Sequence, residues 1–291
     1  MMEDPLVSTE WLAKHLNDPE IRPVDMRGYV KLQNDPERGT QRAEYTGARE
    51  EYEKAHIPGA VYVDWTRDIV DPEDPVPVQV APPERFAELM SSLGIGDGTL
   101  VVAYDHKGDQ FATRLWWALM YYGHDRVAVL DGGWNKWVSE GRPVTAAPPD
   151  VHPAAFTPHP RPGWRKTAGE VLAASESGSA LILDARDREQ YTGELRRGRR
   201  GGHIPGAKNL HSAALRDPEN GTFRPVEELE RLVRAAGVPG DRDHPLIAYC
   251  NGGVAATVDL FTLYRLGYRN LANYDGSWNE WGPREDLPAE E

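Results

Sequence analysis

His56-Ile57-Pro58-Gly59-Ala60 recurs as His203-Ile204-Pro205-Gly206-Ala207, and Asp131-Gly132-Gly133-Trp134-Asn135-Lys136-Trp137 recurs as Asp275-Gly276-Ser277-Trp278-Asn279-Glu280-Trp281. Two further pairs keep the same order. Val24-Asp25-Met26-Arg27 matches Leu183-Asp184-Ala185-Arg186, and Glu44-Tyr45-Thr46-Gly47 matches Gln190-Tyr191-Thr192-Gly193. Self-similarity at a fixed spacing is the mark of a duplicated structural unit, and it decides the architecture before any single element is assigned. The second copy trails the first by 159 residues at the Asp25 pair and by 144–147 at the other three. The excess therefore lies early in the first half, as an extra charged loop at residues 29–42.

Outside the repeats, Pro148, Pro149, Pro153, Pro158, Pro160 and Pro162 crowd one stretch. Proline favours extended backbone, so residues 148–163 read as a semi-rigid linker. The domains are then 1–147 and 164–291. Within each half, apolar runs of strand length alternate with helical patterns. In the second half, 180–183, 246–249 and 271–274 read as strands, with helices over 227–236 and 255–266. The first half repeats this, with strands at 100–104 and 127–130 and helices over 86–93 and 113–122. Strands separated by crossover helices predict an α/β fold: in each half a mainly parallel sheet flanked by helices. Ligands of such sheets bind outside the carboxyl ends of the strands.

The chain's one cysteine, Cys250, lies at such an end, between the apolar run 246–249 and the next helix. It opens the turn Cys250-Asn251-Gly252-Gly253-Val254-Ala255. Backbone N–H groups at a helix N-terminus favour negative charge, and that setting promotes ionisation of a thiol. An isolated cysteine is more often a small buried core residue. The repeat supplies the comparison. Aligning the strands 100–104 and 246–249 sets Asp105 opposite Cys250. An aspartate in an anion-favouring turn accepts the turn's N–H groups without doing chemistry, so Asp105 reads as structural.

The whole chain carries a net charge of −13, which argues against nucleic acid as a general partner. A single cysteine forms no internal disulfide, and no Cys/His set has zinc spacing. No apolar run reaches the ~18–20 residues of a membrane span, and the N-terminal residues lack a signal-peptide pattern. These features predict a cytoplasmic protein with no membrane, metal or cofactor requirement.

With its doubled HIPGA and DGxW motifs and one cysteine loop in the second half only, the chain resembles the tandem-domain rhodanese family of sulfurtransferases. The resemblance covers nearly the whole chain. It implies two rhodanese-like domains, the first non-catalytic, an active site at their interface, and a Cys250 persulfide that carries the transferred sulfur. It also implies a substrate loop of Asn251, Gly252, Gly253, Val254 and Ala255, and an anion contact from Arg186 in the LDAR motif. Asp184 and His203 read as structural, as do Trp134, Trp137, Trp278 and Trp281. In related mercaptopyruvate enzymes the first-domain histidine is a candidate proton relay, which makes His56 a catalytic candidate.

The donor is left between two anions. Thiosulfate enzymes of the family carry two basic residues after the cysteine, where this chain has Asn251 and Gly252. Mercaptopyruvate enzymes often carry an arginine after the aromatic residue of the following motif, where this chain has Thr192. The missing carboxylate anchor tips the reading to thiosulfate, unless Arg188, Arg196 or Arg197 folds back over the cleft. The acceptor would be cyanide or a thiol such as thioredoxin or glutathione. Phosphatases built on related folds need Cys-x5-Arg, and Ala256 stands at that position. A sulfur-relay or binding module without turnover is the remaining alternative.

Overall fold

A computed structural model of the chain describes residues 4–35, 37–107 and 109–291. The first half forms a parallel sheet in the order Leu6–Val7, Val127–Leu130, Leu100–Tyr104, Ile21–Asp25, Val61–Tyr62. The second half repeats it as Arg165–Lys166, Leu271–Tyr274, Leu246–Tyr249, Leu181–Asp184, Lys208–Asn209, again all parallel. Each strand thus has a partner in the other half. The central strands of both halves are buried, because helices cover both faces and leave no edge for polar alternation. The expected strands and helices are present, with ends moved by at most a few residues.

The proline-rich stretch contains no strand, and its helical content is confined to the 3-10 turn at Pro162–Trp164. It is nevertheless pinned to the first domain. Phe156 is buried against Phe86, Arg161 pairs with Asp125, and the N–H groups of His159 and Arg161 donate to Tyr122 and Tyr121. Residues 29–35 and 40–42 form no loose loop. They belong to an antiparallel hairpin of Gly28–Asp35 with Thr40–Gly47. Its tip reaches the second domain, where the Gln41 N–H donates to the Arg196 carbonyl and the Arg196 N–H to that of Gly39. Backbone pairing of this kind needs no apolar signature, so residue pattern alone did not reveal it.

The helices Gln110–Tyr121 and Ala256–Arg265 follow the equivalent central strands and pack on each other across the domain interface. The hydroxyls of Thr113 and Thr257, equivalent residues in the two halves, meet at 2.8 Å. The interface is reciprocal elsewhere too. Asp131 accepts from the Phe223 N–H of the second domain, and Asp275 accepts from the Val80 N–H of the first. Among the described residues no helix is long and apolar enough to cross a membrane.

Candidate active site

Both DGxW motifs hold the turn after the central strand. In the first half the N–H groups of Trp134 and Asn135 donate to the carbonyls of Asp105 and His106. In the second, Trp278 and Asn279 donate to Cys250 and Asn251 in the same way. Ser277 takes the place of Gly133 and shares its left-handed backbone, with φ of 51° against 54°. Its hydroxyl accepts from the Cys250 N–H and donates to the Tyr274 carbonyl, which offsets the strain of that conformation.

What each turn encloses differs. The Asp105 carboxylate accepts N–H bonds from Lys107, Asp109, Phe111 and Ala112 at 2.9–3.1 Å. The first turn is an anion nest that carries its own anion. In the second turn Cys250 replaces the carboxylate, and the N–H groups of Asn251, Gly252, Gly253, Val254 and Ala255 meet no acceptor among the described residues. Cys250 is 4% exposed. It opens onto a cleft of about 300 Å³ between the domains.

Asn251, Gly252, Val254 and Ala255 line this cleft, and Gly253 does not. Gly253 faces Asp275 instead: a Cβ there would stand 2.7 Å from the Asp275 carbonyl oxygen. The opposite wall is Val30, Leu32 and Tyr45 of the hairpin with Trp65 and Val78, all from the first domain. Val78 approaches so closely that a Cβ on Gly252 would lie 2.7 Å from its Cγ2.

Arg186 also lines the cleft, but its guanidinium is committed. It pairs with Asp184 through Nε and Nη2, donates to the Gly202 carbonyl, and lies 4.4 Å over the Trp278 ring. Burial opposes its charge, and Asp184 more than offsets this, holding its pKa above the usual arginine range. Arg27 repeats the arrangement in the first half, with Asp25, the Ala55 carbonyl and the Trp134 ring. Because the half without a cysteine keeps the same cluster, the geometry assigns Arg186 to holding its domain together. That corrects the expectation of a free anion contact. Tyr249 completes the cluster, donating to Asp184 at 2.6 Å as Tyr104 does to Asp25.

His56 is likewise moved out of the proposed relay. It is buried and stacked on Tyr52, its ring nitrogens meet the carbonyl oxygens of Tyr52 and Ala147, and it does not line the cleft. His203 stacks on Tyr191 and meets its carbonyl. Trp137, Trp278 and Trp281 are buried core residues.

Of the arginines that the sequence left open, Arg197 is in the cleft lining, and Arg216, which the sequence reading did not name, is there too. Arg197 is steadied by the Gln41 side chain, and Arg216 pairs with Asp109 at 2.7 Å while its buried Nε has no partner among the described residues. Thr192 and Arg188 are not in the lining, whereas Gln190 is, its Oε1 accepting from Asn251 Nδ2. His211 and Ser212 stand at the rim, and desolvation lowers the pKa of His211 from 6.5. The sequence reading did not name them; they lie just beyond the carboxyl end of the strand Lys208–Asn209, where ligands of such sheets bind. Among the described residues no cluster of three or more His, Cys, Asp or Glu is placed to hold a metal ion.

The Rhodanese-like domain family matches residues 8–140 and 167–283. The sulfur carrier protein TtuD of Thermus thermophilus is 35% identical, covering 97% of this chain and 95% of its own. The 3-mercaptopyruvate sulfurtransferase of Escherichia coli is 34% identical over 98% of this chain and 97% of its own. A protein of Haloferax volcanii with the provisional name thiosulfate sulfurtransferase is 32% identical over 99% and 96%. A solved structure of the Escherichia coli 3-mercaptopyruvate enzyme superposes with a TM-score of 0.81 at 32% identity, covering 94% of this chain and 99% of that one.

Proposed function

This chain belongs to the rhodanese family of sulfurtransferases, and on that premise we propose that it transfers sulfur from a small anionic donor to a thiophilic acceptor through a persulfide on Cys250. The observation that supports this is the contrast between the two turns. One nest encloses the Asp105 carboxylate. Its counterpart offers N–H groups that meet no backbone acceptor among the described residues to a thiol facing a cleft. Such groups stabilise a thiolate and the anionic persulfide that replaces it.

We infer 3-mercaptopyruvate as the donor. The Cys250 thiolate attacks its sulfur, the carbon–sulfur bond breaks, and the bonding pair leaves with carbon as the enolate of pyruvate. A proton taken up at that carbon gives pyruvate, and Cys250 is left as a persulfide. No net oxidation occurs, and the acceptor, cyanide or a thiol, removes the outer sulfur in a second displacement. In this donor the carboxylate stands off from the sulfur by the length of a three-carbon chain. A neutral loop beside the thiol, with guanidinium groups in the same cleft lining, suits that shape. Arg197 and Arg216 supply those groups, and Arg197 is one of the residues whose return over the cleft would reverse the thiosulfate reading. In thiosulfate the charge sits on the adjacent sulfur, where this loop places Asn251 and Gly252.

The test is mass spectrometry after incubation with each donor. Gain of one sulfur atom, its loss to cyanide as thiocyanate, and the absence of both in Cys250→Ser support the reading. No gain with either donor, or activity that survives Cys250→Ser, refutes it. The ratio of kcat/KM values for the two donors tests the choice between them. The relationship to TtuD favours one second reading, a sulfur carrier that loads once and passes sulfur to a protein. Persulfide formation without multiple turnover on small acceptors would support that instead.

A further inference from the structure

We propose that Arg114, contributed by the non-catalytic domain, is a positioning residue for the cysteine loop: it holds the Gly253–Val254 peptide so that its N–H faces the sulfur side of the turn. This rests on the reading of Cys250 as the reacting thiol.

Arg114 lies in the first-domain helix Gln110–Tyr121 and is 1% exposed. Its guanidinium crosses the interface. Nη1 donates to the Gly253 carbonyl at 3.1 Å and to Asp275 Oδ1 at 2.6 Å, and Nη2 donates to the Val78 carbonyl at 2.8 Å. The fork therefore ties one residue of the cysteine loop to one residue of the opposite cleft wall. Val78 sits in a left-handed backbone conformation, φ 61°, that a β-branched residue rarely adopts. Asn273 Nδ2 makes a second bond to the Gly253 carbonyl at 2.8 Å. In a trans peptide the C=O and N–H point in opposite directions. Drawing the Gly253 carbonyl outward onto Arg114 and Asn273 thus turns the Val254 N–H to the other side of the turn.

The repeat shows why only one turn needs this prop. Thr113 and Thr257 are equivalent and in contact, so the next residues, Arg114 and Val258, are equivalent as well. Val258 brings no charge to the first turn, where the Asp105 carboxylate gathers the N–H groups itself. The cysteine turn has no such internal organiser. A thiolate is a weaker hydrogen-bond acceptor than a carboxylate, and the turn must also admit a second sulfur. Its amides have to be oriented from outside, and the first domain does this through Arg114.

The experiment compares Arg114→Gln and Arg114→Lys with the intact chain, reading the pH profile of Cys250 alkylation by iodoacetamide, kcat, KM and Tm. Alkylation at pH 7 is expected to fall about tenfold in Arg114→Gln. kcat should fall at least as far while KM moves less than about threefold. Arg114→Lys keeps the Asp275 pair without the fork and should recover stability but only part of the alkylation rate. If Arg114→Gln does not fold, the lysine variant carries the same comparison. A lowered Tm with an unmoved alkylation profile and unmoved kcat below the transition overturns the proposal. Alkylation does not depend on sulfur transfer, so a parent protein that forms no persulfide would refute the function while leaving this result readable.

Discussion

Gly253→Ala is expected to cost about 3–5 kcal/mol, whereas Gly206→Ala costs about 1–2, although both glycines have nearly the same backbone. Gly253 has φ of 70° and Gly206 of 76°. A Cβ in that left-handed region costs roughly 1–2 kcal/mol at either site. The surroundings then separate them. Nothing lies within 4 Å of a Cβ on Gly206. On Gly253 it would stand 2.7 Å from the Asp275 carbonyl oxygen, 2.8 Å from its Oδ1 and 3.0 Å from its Cα. Those are backbone atoms and a clamped carboxylate, so relief requires shifting Asp275 by several tenths of an ångström. Asp275 accepts from Arg114 at 2.6 Å and from the Val80 N–H at 2.9 Å. Weakening one such charged bond costs about 1.5–3 kcal/mol, which makes up the difference. Equilibrium urea unfolding of both variants reads the stabilities, and donor turnover reads the loop. Equal losses at the two glycines, or a Gly253→Ala protein with parental stability and turnover, would refute the reasoning.

Arg197→Met should raise KM for 3-mercaptopyruvate about tenfold with kcat little changed, because a charge that grips the carboxylate of the bound donor does so in ground and transition states alike. Steady-state kinetics checks it, and an unchanged KM would remove Arg197 from the donor site. Replacing 31–41 with a tight turn should speed alkylation of Cys250 by a bulky maleimide, since Val30 and Tyr45 of the hairpin wall its cleft. Asp109 is expected to shape the pH dependence of stability. Burial, and then the neighbouring Asp105 charge, push its pKa from 3.8 up to about 6, against the pull of Arg216. The folded state therefore favours the protonated acid, and this group's contribution is present below pH 3.8 and lost as pH rises to about 6. Unfolding free energies of parent and Asp109→Asn should accordingly diverge between those limits, the parent falling relative to the variant, and stay parallel above. A difference that rises over that window would contradict the assignment.

Much of the cysteine loop was legible from local features. The apolar run 246–249 followed by Cys250 and two glycines places a thiol on a strand-to-helix turn, and the structure has it there. Asp105 was readable as its structural counterpart because the repeat aligned the two turns residue by residue. Arg186 and His56 were misread for one physical reason. Residue type and motif position say that a side chain is charged or titratable, not whether a neighbour already holds it. Asp184 saturates Arg186, and two carbonyls occupy His56. The hairpin at 28–47 was missed because its apolar face is confined to Val30, Leu32, Ala43 and Tyr45, and the charged and polar residues around them read as a solvated loop. Arg197 was named and Arg216 was not, because their arrival in the cleft depends on the hairpin and on Asp109, which are distant in sequence.

By itself the sequence determined the duplication, the two α/β sheets and the single thiol at the carboxyl end of a central strand. Periodicity, turn residues and repeat spacing are local, and the strand-to-helix turn that presents Cys250 is local too. The tertiary structure decided what surrounds that thiol. Domain packing brings Val78 against Gly252, Arg114 onto the Gly253 carbonyl and the hairpin across the cleft. These are contacts between residues more than a hundred positions apart. Their geometry follows from how two helices meet at Thr113 and Thr257, and no pattern within either half records it.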